Sequence, residues 1–215
     1  MLTVISVLRS GGDFDAEWVA KLQAGVKRNL TIPHKFVCLS DVDVPCERIP
    51  IEVDWPGWWP KLLLFKPGLI TGPTVFFDLD TVITGNIDAL AKLTPDFAVL
   101  TNFFDPEMIG GGMFWFSGRN VPTEIYTKFA KMPDAYIAHH VRNRNGTYVG
   151  DQGFIYDVLG ADIPRINDEF PGIKGYKYHC KNRLPPDAKI VCFAGHPRPS
   201  EVDAGWMDTH WNAAL

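Results

Sequence analysis

Two carboxylates two residues apart, Asp78 and Asp80, sit inside the stretch TVFFDLDTVITGNIDAL at residues 74–90. On a strand that spacing points both side chains to one face. At the carboxyl end of a strand in an α/β sheet, such a face looks onto the usual ligand crevice. Two like charges held so close repel each other. A divalent cation between them removes that cost and brings a Lewis acid to the site. The same pair also suits an enzyme in which one carboxylate attacks a phosphoryl group and the other moves a proton. The apolar run TVFF leading into the acids argues against a pair of surface acids at a free turn.

Several elements must position that pair. TVISVL (3–8) is a β-branched run ending at Ser-Gly-Gly, which predicts a strand and a turn. In DAEWVAKLQAGVKRNL (15–30), Trp18, Val19, Leu22, Val26 and Leu30 recur at helical spacing, with Asp13 or Asp15 as the cap. HKFVCLS (34–40) is a second strand, and this β-α-β opening predicts a parallel, Rossmann-like half. WWPKLLLF reads as a short helix with buried aromatics, in which Lys61 either snorkels or faces a ligand. TVFFDLD (74–80) and FAVLTN (97–102) are the third and fourth strands, and GGGMFWFSG (110–118) is a glycine turn entering a fifth. TEIYTKFAKM (123–132) and GDQGFIYDVLG (150–160) are helical, and KIVCFAGHPRP (189–199) is a last strand running into a Gly-Pro loop.

Composition bounds the function. A length of 215 residues suits one α/β domain, and 46% hydrophobic with 21% charged residues is a globular composition. The net charge of −4 and the lack of a basic run give no case for a nucleic-acid partner. No apolar stretch reaches the roughly 18 residues of a membrane span. MLTVISVLRSGG reads as a core strand and not as a secretion signal, because its charge follows the apolar run. Cys38, Cys46, Cys180 and Cys192 form no CxxC pair, which argues against a zinc ribbon and for reduced thiols in a cytoplasmic setting. Asn29 (NLT) and Asn145 (NGT) match glycosylation acceptors but follow no secretory signal. His139 and His140 read as surface residues, and most tryptophans as core.

Taken in order, these stretches resemble nucleotide-sugar glycosyltransferases of the GT-A fold, most closely family 8, the group of glycogenin-like and bacterial galactosyltransferase-like enzymes. FFDLDTVITGNIDAL is similar to the family's Asp-x-Asp strand and its continuation, GDQGFI to its Asp-Gln motif at a helix start, and FAGHPRP to its closing loop. The resemblance implies an α/β GT-A fold with a Rossmann-like mixed sheet flanked by helices. It implies a single domain over 1–215, with a nucleotide-binding half at about 1–102 and an acceptor and closing half at about 103–215. It also implies transfer from a nucleotide-diphosphate sugar, with a UDP-sugar as the expected donor and retention as the expected stereochemistry. The acceptor would be a glycan, a lipid-linked sugar or a protein. Asp78 and Asp80 would hold Mn²⁺ or Mg²⁺, hard cations that favour oxygen ligands. Leu8, Arg9, Ser10 and Gly11 would border the nucleoside, and Leu79, Gly111, Gly112 and Gly195 would border the donor. Lys61 and Arg198 would meet the diphosphate. Asp151 would contact the sugar hydroxyls, with Gln152 beside the anomeric carbon.

The match departs from the family at one ligand. Cys192 stands where the family's closing loop has its metal-binding His, Ser200 replaces a Trp, and His196 is the substitute ligand four residues on. FFDLDTV is also similar to the nucleophile loop of haloacid-dehalogenase-like phosphatases, with Asp78 as nucleophile. In that family the loop lies near the N-terminus, whereas here two strands and a helix precede it. The missing His leaves a third reading, a non-catalytic nucleotide-sugar-binding protein.

Overall fold

The computed structural model describes residues 1–141 and 150–213. The acceptor triplet at Asn145 lies outside them. In chain order the elements are β1 (Leu2–Leu8), α1 (Ala16–Asn29), β2 (His34–Ser40), β3 (Glu47–Pro50), β4 (Thr74–Phe77), β5 (Thr81–Ile83), β6 (Phe97–Thr101), β7 (Ile109–Phe116), α2 (Glu124–Phe129), α3 (Pro133–Val141), α4 (Gly150–Leu159), α5 (Ile166–Glu169), β8 (Ile173–Gly175), β9 (Ile190–Cys192) and α6 (Gly205–His210). A 3-10 segment, Trp59–Phe65, precedes β4. No helix among the described residues is long and apolar enough to cross a membrane.

Six strands form a mixed sheet in the order β3-β2-β1-β4-β7-β6. β3, β2, β1 and β4 are parallel, and β7 runs antiparallel to both β4 and β6. Both faces are covered, which is why the central strands read as near-continuous apolar runs. Val75 and Phe77 of β4 face the side covered by Val19, Leu22 and Val26 of α1. Phe76 faces the opposite side with Leu62, Leu64 and Phe65, Phe129 of α2 and Phe154 of α4. Asp15 caps α1 by accepting from the amides of Glu17 and Trp18.

A second sheet, β5-β9-β8, is built from three-residue strands. It corrects the expected strand at 74–80. β4 ends at Phe77, and Asp78-Leu79-Asp80 is a turn closed by the Thr81 amide donating to the Asp78 carbonyl at 3.1 Å. The chain then leaves the six-stranded sheet for the smaller one. Asp78 keeps one last ladder bond, its amide donating to the Gly112 carbonyl at 3.0 Å. A second correction concerns Gly110, Gly111 and Gly112, which lie within β7 and not in a turn before it. The sequence also gave no sign of β3, β8, α5 or α6.

Candidate active site

The site forms where the turn after β4, the glycine stretch of β7, the start of α4 and the loop after β9 converge. At its centre is Lys61. The 3-10 segment buries this residue, and its ammonium lies 2.9 Å from Asp78 Oδ1, 2.8 Å from Asp151 Oδ2 and 3.1 Å from the Gly111 carbonyl, to which it donates. Burial works against its charge, but Asp151 and Asp78 outweigh burial and hold it above the usual lysine range.

A second cation sits across the turn. Arg198 donates to Asp80 Oδ2 at 2.6 Å and to Asp13 Oδ2 at 3.1 Å, and its guanidinium lies 4.8 Å from the Phe14 ring centre. Four carboxylates, Asp13, Asp78, Asp80 and Asp151, thus face two cations, leaving a net charge of −2. Asp80 registers that excess: burial first, then the charge of Asp78, push it up to about 7 despite Arg198.

Two cavities meet at this point. One, of about 390 Å³, is bordered by Asp80, Gly110–Gly112, Asp151, Gln152, Asn102–Phe104 and Cys192–Gly195. The other, of about 530 Å³, is bordered by Arg9–Asp13 and Leu79. Phe14, Trp58, Lys61, Asp78 and Arg198 line both and form the waist between them.

Backbone freedom shapes the walls. Gly150, the residue before Asp151, has φ +71°, and a Cβ there would fall 2.4 Å from Trp58 Nε1. At Gly111 a Cβ would lie 3.6 Å from Asp151 Oδ2 and 3.4 Å from Gln152 Cβ, filling space the cavity now keeps. The Gly111 amide donates to Gln152 Oε1 at 3.2 Å and orients that side chain.

No protein-family model matches this chain, and no curated protein matches it by sequence. Solved structures do match. The glycosyltransferase GlyE of Streptococcus pneumoniae TIGR4 superposes with a TM-score of 0.64 at 13% identity, covering 94% of this chain and 56% of GlyE. An active-site mutant of LgtC gives 0.63 at 9% identity, covering 96% of this chain and 93% of LgtC. The galactosyltransferase LgtC with donor and acceptor sugar analogs gives 0.59 at 9% identity, covering 92% and 88%. The fold is GT-A. The chain spans about half the length of GlyE and most of LgtC.

The GT-A cleft gathers most residues singled out in the sequence. Arg9, Ser10, Gly11, Lys61, Asp78, Leu79, Asp80, Gly111, Gly112, Asp151, Gln152, Gly195 and Arg198 all line it. Leu8 does not; it is buried in the core on the α1 side. Arg9 is tied to Asp41 at 2.9 Å and Asp54 at 2.7 Å, and Ser10 donates twice to Asp41, so these residues build the rim of the larger cavity. His196 stands apart: its side chain is 70% exposed and faces Glu201 at 2.9 Å, outside the cleft lining. Cys192 does line the cleft, but burial, then the charges of Asp80 and Asp78, push its thiol up and keep it protonated.

Phe14, Asn102, Phe103, Phe104 and Phe193 line the cleft without having been singled out, as does Asp13, which was read only as a cap candidate. Trp58 was read with the core tryptophans, yet it is 52% exposed at the waist, whereas Trp55, Trp59 and Trp211 are buried. Its place after Pro56-Gly57, in a turn, was the available signal. His140 is also a correction: it is buried at the end of α3 against Trp59 and Phe154, not on the surface.

Two carboxylates in a cleft of excess negative charge fit a hard divalent ion. Among the described residues no third His, Cys, Asp or Glu atom completes a compact trio with them. The fit is therefore to an ion sharing its shell with an oxygen-rich ligand, as Mg²⁺ does with substrate phosphates.

Proposed function

We propose that this chain is a glycosyltransferase that moves a sugar from a nucleoside-diphosphate sugar, a UDP-sugar, to a sugar-bearing acceptor with retention and with Mn²⁺ or Mg²⁺. The observation that carries the reading is the waist, where Asp78 and the two cations Lys61 and Arg198 separate one cavity from another, with Asp80 paired to Arg198 on the side of the smaller one. A donor fits that division, with its nucleoside beside Arg9–Asp13, its diphosphate at the waist and its sugar against Gly111, Asp151 and Gln152.

Asp78 and Asp80 would hold the cation, which supplies charge stabilisation to the departing diphosphate. Arg198, fixed by Asp80 and Asp13, presents a planar fork suited to phosphate oxygens. Lys61 sets the position of Asp151, whose carboxylate would accept from sugar hydroxyls. Gln152, fixed by the Gly111 amide, would lie beside the anomeric carbon. An amide is a poor nucleophile, which favours a front-face displacement through an oxocarbenium-like state over a covalent intermediate. Phe104, 58% exposed, borders the sugar cavity and is packed edge-on at 4.9 Å by the exposed Tyr178, an aromatic surface that supports a carbohydrate acceptor. The four cysteines are free, which supports a reducing, cytoplasmic setting.

The deciding experiment measures release of nucleoside diphosphate from UDP-, GDP- and CDP-sugars with Mn²⁺, Mg²⁺ or chelator, beside thermal stabilisation by each nucleotide. Cation-dependent release supports the transferase. Stabilisation without release, even with acceptors supplied, supports a binding protein. Turnover of a small phosphate ester, lost in Asp78→Asn, would instead support the phosphatase reading.

The neutral thiol at 192 leads to a gain-of-function expectation. Cys192→His places an imidazole in the cleft beside Asp80, and imidazole suits Mn²⁺ better than a protonated thiol does. The half-saturating Mn²⁺ concentration should fall by about tenfold, the scale on which one coordinating partner acts. An unchanged Mn²⁺ requirement in a folded variant would count against a cation beside Asp80.

A further inference from the structure

A second cluster of ligating side chains lies between α3 and α4, away from the cleft. His139 and His140 are in the last turn of α3, and Asp157 is in the last turn of α4. The ligand atoms of all three lie within 4.8 Å of one another, and they are the one such trio of His, Cys, Asp and Glu among the described residues. None of the three borders the cleft cavities.

The spacing is informative. His140 Nε2 lies 3.5 Å from Asp157 Oδ2. That is longer than an N–H···O hydrogen bond, about 2.7–3.2 Å. It matches the separation of about 3.4 Å between two ligands bonded at about 2.1 Å to one tetrahedral ion. His140 is only 3% exposed, boxed in by the rings of Trp59 and Phe154 with centroids at 6.2 and 5.7 Å. His139 crosses it edge-on at 5.0 Å, and both His139 and Asp157 are exposed, which leaves one side open to water.

We propose that His139, His140 and Asp157 form a site for a divalent transition ion of the Zn²⁺ class that clamps α3 to α4. Two imidazoles and one carboxylate, with a fourth position for water, suit Zn²⁺ or Co²⁺ and not the hard ions that favour all-oxygen shells. The clamp acts on the helix whose first turn carries Asp151 and Gln152, so it holds one wall of the cleft from the opposite end of α4.

The test is a Co²⁺ titration of the full chain followed by its visible absorption, run in excess Mg²⁺ to occupy hard-ion sites, with thermal melts in Zn²⁺ alongside. Wild type should bind one equivalent with the intense bands of a tetrahedral nitrogen–oxygen site, and Zn²⁺ should raise its melting temperature. His139→Ala and Asp157→Asn change exposed side chains, so both should fold, as circular dichroism would verify. Each should weaken Co²⁺ binding by about tenfold or more and abolish the Zn²⁺ shift. No binding at millimolar Co²⁺, or binding that both folded variants retain unchanged, overturns the proposal.

Discussion

Lys61→Met is expected to destabilise the protein by about 3–5 kcal/mol, the cost of removing one partner from a buried ion cluster. For a chain of this size the melting temperature should fall by roughly 10 °C or more. The reason is the arrangement and not the charge alone. Lys61 is the cation between Asp78 at 2.9 Å and Asp151 at 2.8 Å, and it also satisfies the Gly111 carbonyl at 3.1 Å. Methionine fills similar volume, so packing against Phe76, 5.4 Å from the ammonium, changes little. What remains is the buried Asp151 beside the partly exposed Asp78, with no cation between them. Neutralising them in the triple variant Lys61→Met, Asp78→Asn, Asp151→Asn should recover most of the loss, since the penalty is the unpaired charge. Chemical denaturation of wild type, Lys61→Met and the triple variant measures both effects. A Lys61→Met protein that unfolds at the wild-type midpoint would show that the cluster carries no such strain.

The sequence made some of this arrangement legible and hid the rest, for physical reasons. β1, α1 and β2 could be read because their signals are local: β-branched runs, a 3.6-residue apolar period and a capping Asp15. The two acids stood out because charge inside an apolar run is expensive. That they lie in a turn could not be seen, because the apolar run continues through Thr81–Ile83 with no Gly, Pro or Asn to mark the change of sheet. The glycines of β7 misled in the opposite sense. Glycine usually marks a turn, but here it keeps a strand thin where Asp151 and Gln152 approach. Lys61 was visible as a misplaced charge, yet its partners lie 17, 50 and 90 residues away, a distance no local pattern encodes. Asp13 was read only as a candidate helix cap for the same reason, since it meets Arg198 across 185 residues. His196 illustrates the converse: a plausible ligand by motif position is held off by Glu201, five residues on, at 2.9 Å.

Asp78→Asn and Asp80→Asn are expected to behave in the opposite way to Lys61→Met, keeping the fold and losing the chemistry. Each basic residue has two anions, so removing one leaves the other paired: Lys61 keeps Asp151 at 2.8 Å, and Arg198 keeps Asp13 at 3.1 Å. Melting temperatures should therefore stay within about 3 °C of wild type, a change of around 1 kcal/mol. Turnover should fall by about 10²–10³, the usual cost of one preorganised electrostatic group. The Asp80→Asn variant carries a further signature. Wild type meets a diphosphate with a net charge of −2 at the waist, which Asp80→Asn lowers to −1 above the Asp80 value of about 7. At pH 8 in chelator, a nucleoside diphosphate should bind Asp80→Asn more tightly than wild type, because repulsion is smaller. With Mn²⁺ present the order should reverse, because an amide is a weaker ligand than a carboxylate. Calorimetric titrations under the two conditions give the crossing directly. If Asp80→Asn binds the nucleotide more weakly in both, Asp80 acts on the ligand itself and not through a shared cation, and the cation clamp loses its support.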